Sequence, residues 1–114
     1  MVCANVRGLN SNRKKRRLLK ELKQRKIDIC IVSDTRIGEE DVNILKQDQE
    51  FDCIYTEKQN TIIPSRGVLI IWRKKSLITI EPLSDRVDGN LLISKVTYAD
   101  HTILLCGLYG PNED

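Results

Sequence analysis

Apolar and polar positions along the chain change their period part-way through. The run Val2–Val6 is short and apolar and is broken by Arg7-Gly8-Leu9-Asn10. Ser11 or Asn12 then offers a helix N-cap, and Leu18, Leu19 and Leu22 recur at helical spacing among Lys and Arg, predicting a helix over 12–25. Ile27–Ser33 is a dense β-branched run and predicts a buried strand. Two strands joined by one helix predict a βαβ unit with a parallel pair. A second helix is expected over 39–47, with Val42 and Leu45 inward and its acids in the first turn, where the helix dipole favours them. Phe51–Glu57 predicts a third strand, and the polar stretch 58–66 a loop.

Beyond Gly67 the period becomes that of strands. Gly67–Trp72, Leu77–Leu83, Leu91–Tyr98 and Thr102–Tyr109 are separated by short turns, which predicts antiparallel neighbours. The chain therefore reads as α/β at its start and an antiparallel meander at its end.

Composition narrows the class. The chain has 114 residues, enough for one domain with a core, and 40% are hydrophobic, which excludes a wholly disordered polypeptide. No apolar run approaches a membrane span and no signal-peptide pattern opens the sequence, so an intracellular product, cytoplasmic or nuclear and off the membrane, is expected. Cys3, Cys30, Cys53 and Cys106 form no C-x-x-C pair, and with one histidine they read as buried free thiols rather than a zinc site.

The net charge of +3 conceals an asymmetry. Residues 1–26 hold ten Lys/Arg against one acid, whereas 27–114 hold nine bases and fifteen acids. Such a basic segment suits a phosphate backbone, with Lys14, Lys15, Arg16 and Arg17 as the candidate nucleic-acid contacts. The same run, "RKKRR", also fits a nuclear-import signal or an ordinary solvated helix face.

Candidate chemistry lies at the carboxyl ends of the expected strands: Asn5 after the first, Asp34 after the second, Tyr109 and Asn112 after the last. Strand ends are where loops converge to form sites in sheet-based folds. Taken singly, each of these residues also suits a turn or a cap.

In order, "NVRGLN" (5–10), "VSDTRI" (32–37), "RGVLIIWRK" (66–74) and "GLYGPN" (107–112) resemble the endonuclease/exonuclease/phosphatase superfamily, most nearly the N-terminal half of the apurinic-type endonuclease domain of LINE-type retrotransposon polyproteins. The resemblance implies a four-layered α/β sandwich, two mostly antiparallel sheets with outer helices, and magnesium-dependent phosphodiester hydrolysis. It places the metal on Asp34 with Asn5 beside it, and phosphate contacts on Tyr109 and Asn112. All four are candidate catalytic residues on this reading. Asp34 stands where the family has glutamate, one methylene longer. The family's later Gly-Asp-x-Asn and Ser-Asp-His motifs do not occur in these residues, and Asp100-His101 reads as a hairpin corner rather than as their substitute.

Residues 1–114 are thus expected to be a partial domain, a fragment of a DNA-directed, magnesium-dependent endonuclease that is inactive by itself and prone to associate through unpaired sheet edges. Two readings remain beside it: a non-catalytic basic nucleic-acid-binding module, and a degraded retrotransposon remnant without function.

Overall fold

In the computed structural model, residues 2–55, 67–76, 78–82, 91–98 and 101–108 are described. The elements follow in the order β1 (Val2–Asn5), α1 (Asn12–Gln24), β2 (Ile29–Ser33), α2 (Glu39–Lys46), β3 (Phe51–Tyr55), β4 (Val68–Arg73), a 3-10 turn (Lys74–Ser76), β5 (Ile78–Pro82), β6 (Leu91–Tyr98) and β7 (His101–Leu108).

Helix α1 begins at Ser11, whose side chain accepts the Lys14 amide at 3.1 Å. It ends in a left-handed cap: Lys26 has φ 53°, its amide donates to Lys23 O, and the Ile27 amide donates to Leu22 O. That closure takes Ile27 out of the following strand, which therefore starts at Ile29. Helix α2 starts at Gly38, whose amide donates to Asp41 Oδ2 at 3.2 Å.

The strands form two sheets, ordered β1-β2-β4-β3 and β5-β6-β7. β1 and β2 are parallel, as the βαβ reading requires, with Asn5 opposite Ser33. β4 runs antiparallel to both β2 and β3, and the second sheet is an antiparallel meander.

One expected pairing is absent. The short turn Arg73-Lys74-Lys75 is expected to join antiparallel neighbours, yet β4 and β5 lie in different sheets. The link turns a corner from one sheet to the other. The physical reason is burial: β4 is apolar on both faces and fits between β2 and β3, whereas β5 alternates as Ile-Thr-Ile-Glu and presents one apolar face.

Alternation along the strands builds two cores. Cys30, Val32, Leu69, Ile71, Phe51 and Cys53 face the helices and pack with Leu22, Val42 and Leu45. Ile31, Val68, Ile70 and Trp72 face the second sheet and pack with Val96, with Ile78 and Ile80 against them. Among the described residues the layers are therefore helices, sheet, sheet, with both helices on one outer side. This is the α/β sandwich the sequence motifs imply, without a helix layer over the second sheet among those residues.

Candidate functional site at the ends of the first two strands

Where β1 and β2 end and β4 begins, three segments are stitched by main-chain hydrogen bonds. Val6 N donates to Ser33 O, Gly8 N to Asp34 O, Leu9 N to Thr35 O, and Thr35 N to Gly67 O, at 3.2, 2.7, 2.7 and 3.2 Å. The backbone here is unusual. Arg7, Gly8, Asp34, Arg36 and Gly67 all have positive φ. Left-handed conformations cost non-glycine residues about 1–2 kcal/mol each, so this end of the sheet is held in place by the surrounding packing and ladder.

The two expected front-half residues stand at adjacent strand ends. Asn5 is exposed at the end of β1, and its Oδ1 accepts the Arg7 amide at 3.3 Å. Its strand partner Ser33 immediately precedes Asp34. Asp34 is buried, at 4% exposure. Its carboxylate is taken up by a residue that sequence reasoning did not single out: Arg36 donates Nε to Oδ1 at 2.9 Å and Nη2 to Oδ2 at 3.0 Å. The left-handed turns at 34 and 36 make this fork possible between residues two apart. Thr35, between them, is fully buried, and its hydroxyl has no hydrogen-bond partner among the described residues.

The donor set does not fit the magnesium ion that the motif resemblance implies. Magnesium is usually held by one or two carboxylates and keeps several waters in a tight octahedron. Here both oxygens of Asp34 face a guanidinium and the side chain is 5% exposed. Among the described residues no group of three His, Cys, Asp or Glu could hold a metal. Tyr109 and Asn112 lie outside the described residues. His101 opens β7, exposed and paired with Tyr98, as the hairpin reading expects.

The basic residues divide by face. Arg13, Arg16, Arg17 and Lys20 are exposed on α1, and none of them is in an ion pair among the described residues. Lys14 is exposed and its Nζ reaches Arg7 O at 3.4 Å. Lys15 is buried at 1% exposure and does not lie on that outer face. It donates to Asp41 Oδ1 at 2.7 Å, and also to Asn10 O and Asn12 Oδ1.

A groove of about 390 Å³ lies between the outer edge of β1 and α1, with Asn5, Lys14, Arg17, Leu18 and Glu21 among its lining. The strand-end asparagine and two of the bases thus share one depression. Sequence reasoning treated them as separate candidates.

No family model matches the sequence, and no curated protein matches it. Among solved structures the chain is similar to the endonuclease domain of TRAS1, a telomere-specific non-LTR retrotransposon, with a TM-score of 0.60 and 10% sequence identity. The likeness covers 96% of this chain and 44% of that one. At that identity it is a likeness of fold, and it agrees with the fold that the sequence motifs imply. The chain spans less than half the length of that domain.

Proposed function

We propose that residues 1–114 form part of an endonuclease-type phosphodiesterase domain and that their own contribution is to hold the backbone of DNA, without hydrolysing it unaided. The observation that carries this reading is the groove shared by Asn5, Lys14 and Arg17 beside the exposed stripe Arg13, Arg16, Arg17 and Lys20. Cations held in no ion pair, lying beside a strand-end site, suit successive phosphates. The fold likeness to a retrotransposon endonuclease domain supports a nuclease-like origin.

A magnesium-assisted reaction would need a carboxylate free to bind the ion. The Asp34–Arg36 pair favours binding over chemistry in this segment. A metal here would stabilise charge on the phosphoryl oxygens and the leaving group. What these residues can do without it is position: Lys14 and Arg17 offer cations to a phosphate, and Asn5 offers an amide at the groove's end.

The test is fluorescence anisotropy of labelled duplex DNA against salt. Binding should be independent of sequence, and log affinity should fall linearly with log salt at a slope of about −0.9 per phosphate contact. Changing Arg13, Arg16, Arg17 and Lys20 together to Glu should abolish it. Binding unchanged by those substitutions, or no binding even at low salt, would overturn the proposal in favour of a solvated helix face or a remnant without function.

A further inference from the structure

Arg36 packs against the loop beside the carboxylate it covers, with its own side chain 35% exposed. Its backbone is left-handed, at φ 53°, and its stem passes over Gly8, where a Cβ would lie 3.6 Å from Arg36 Cδ. Gly8 itself sits at φ 100°, a conformation suited to glycine. The Gly8 amide donates to Asp34 O at 2.7 Å, so the loop that accommodates the arginine also fixes the main chain of the aspartate. The guanidinium then closes on both carboxylate oxygens in a planar fork.

A divalent ion would have to take one of those oxygens and bring its waters into a side-chain environment that is 5% exposed. It would also have to sit beside a permanent positive charge. Arginine does not lose its proton in proteins, so no ordinary change of pH vacates the position.

From this we propose that the Arg36 guanidinium is the resident counter-cation of the strand-end site, occupying the place that a divalent metal would take on Asp34. Asp34 is then a scaffolding group that anchors the 34–37 loop rather than a metal ligand, and removing Arg36 makes it available to a divalent ion. The inference does not depend on DNA binding, because its readouts are cation binding and stability in the absence of nucleic acid.

The probe is Mn²⁺, titrated into the isotope-labelled chain while amide broadening is followed by NMR, with the exposed Glu39 and Glu40 reporting non-specific association. In the unaltered protein, the amides of Asn5, Asp34 and Thr35 should broaden no more than those of Glu39 and Glu40. In Arg36→Gln they should broaden selectively, and in Arg36→Gln with Asp34→Asn the selectivity should vanish. Urea denaturation supplies a second arm: the double variant should lose less stability than the sum of the two single losses, because either single change already removes the shared fork. Selective broadening at Asp34 in the unaltered protein, or its absence in folded Arg36→Gln, overturns the proposal. So do additive stability losses, which decide the matter even where a variant gives a poor spectrum.

Discussion

Lys15 of α1 reaches Asp41 of α2, Nζ to Oδ1 at 2.7 Å, with side chains 2% and 18% exposed. The other oxygen of Asp41 accepts the Gly38 amide, so one carboxylate both starts α2 and anchors α1. Removing one partner of a buried pair leaves the other charge uncompensated, which costs about 3–5 kcal/mol in well-buried cases. We predict that Lys15→Glu destabilises the fold by an amount at the lower end of that range, since Asp41 retains some solvent. Arg16→Glu should change stability by less than about 0.5 kcal/mol. Urea titrations of the two variants test this, and equal effects would place Lys15 on the open face after all.

The left-handed cap at Lys26 gives a prediction of the opposite sign. Glycine is the usual residue at that position, and the left-handed penalty falls on lysine. Lys26→Gly is expected to stabilise the chain by about 1 kcal/mol, raising the melting temperature by several degrees. An unchanged or lower melting temperature would show that the cap carries no strain to relieve.

Thiol chemistry should follow depth. Burial pushes the Cys30 thiol up to about 11, with Cys3 adding to the shift, and burial pushes Cys53 up to about 12. Cys3 is exposed. At pH 8 iodoacetamide should label Cys3 well before Cys30 or Cys53, as read by peptide mass spectrometry. Because the two buried thiols ionise later in the folded state than their ordinary 9.0, their contribution to stability is intact below pH 9 and declines above it. Early labelling of Cys53 in the native protein would contradict the packing of β3.

Asp48 supplies an acid-side dependence. The hydrogen bond from Lys23 holds its carboxyl below the ordinary 3.8, with the Glu50 amide and nearby lysines helping against the cost of burial. A lowered folded value means that this contribution is complete above about 3.8 and disappears as the pH falls through the depressed value. Asp48→Asn should therefore flatten the acid limb of the stability profile below pH 4 while leaving its alkaline limb unchanged. An acid limb identical to that of the unaltered protein would remove Asp48 from the account.

Catalysis is the sharpest expectation. Purified 1–114 should give no detectable magnesium-dependent nicking of plasmid or abasic-site DNA, whether Asp34 is kept or changed to Glu. Loss of a positioned acid or base alone costs about 10²–10⁴ in rate, and the chain lacks the motifs that would supply one. Cleavage by this chain that is abolished by Asp34→Ala would refute both this expectation and the counter-cation role of Arg36.

The fold was largely legible because its periods are strong. The spacing of Leu18, Leu19 and Leu22 marked α1, and the apolar run at 67–72 marked a strand, though not its place between β2 and β3. The destination of β5 was not, since a short link serves a hairpin and a corner equally. The alternation of Ile78, Thr79, Ile80 and Glu81 was the available signal. Lys15 could have been separated from its basic neighbours on the same principle: it lies three, four and seven residues before Leu18, Leu19 and Leu22, on the apolar side of the helix. The Arg36 fork was less accessible. Residues two apart on a strand merely share a face, and only the left-handed turns at 34 and 36 fold them onto each other.

The position of β4 between β2 and β3 sets the order in which this sheet can be completed. During synthesis β3 emerges before β4, yet it must not close against β2, because the strand that belongs between them has not been made. The first sheet remains a parallel pair and a detached strand until residues 68–73 arrive and zip to both sides at once. Since Ile29 pairs with Trp72 across more than forty residues of intervening chain, closure is a late, non-local event, and its cost falls on the folding rate more than on final stability. Nascent chains interrupted before residue 73 therefore present the apolar faces of β2 and β3 without their shared partner, and chaperones would have to shield that vacant slot.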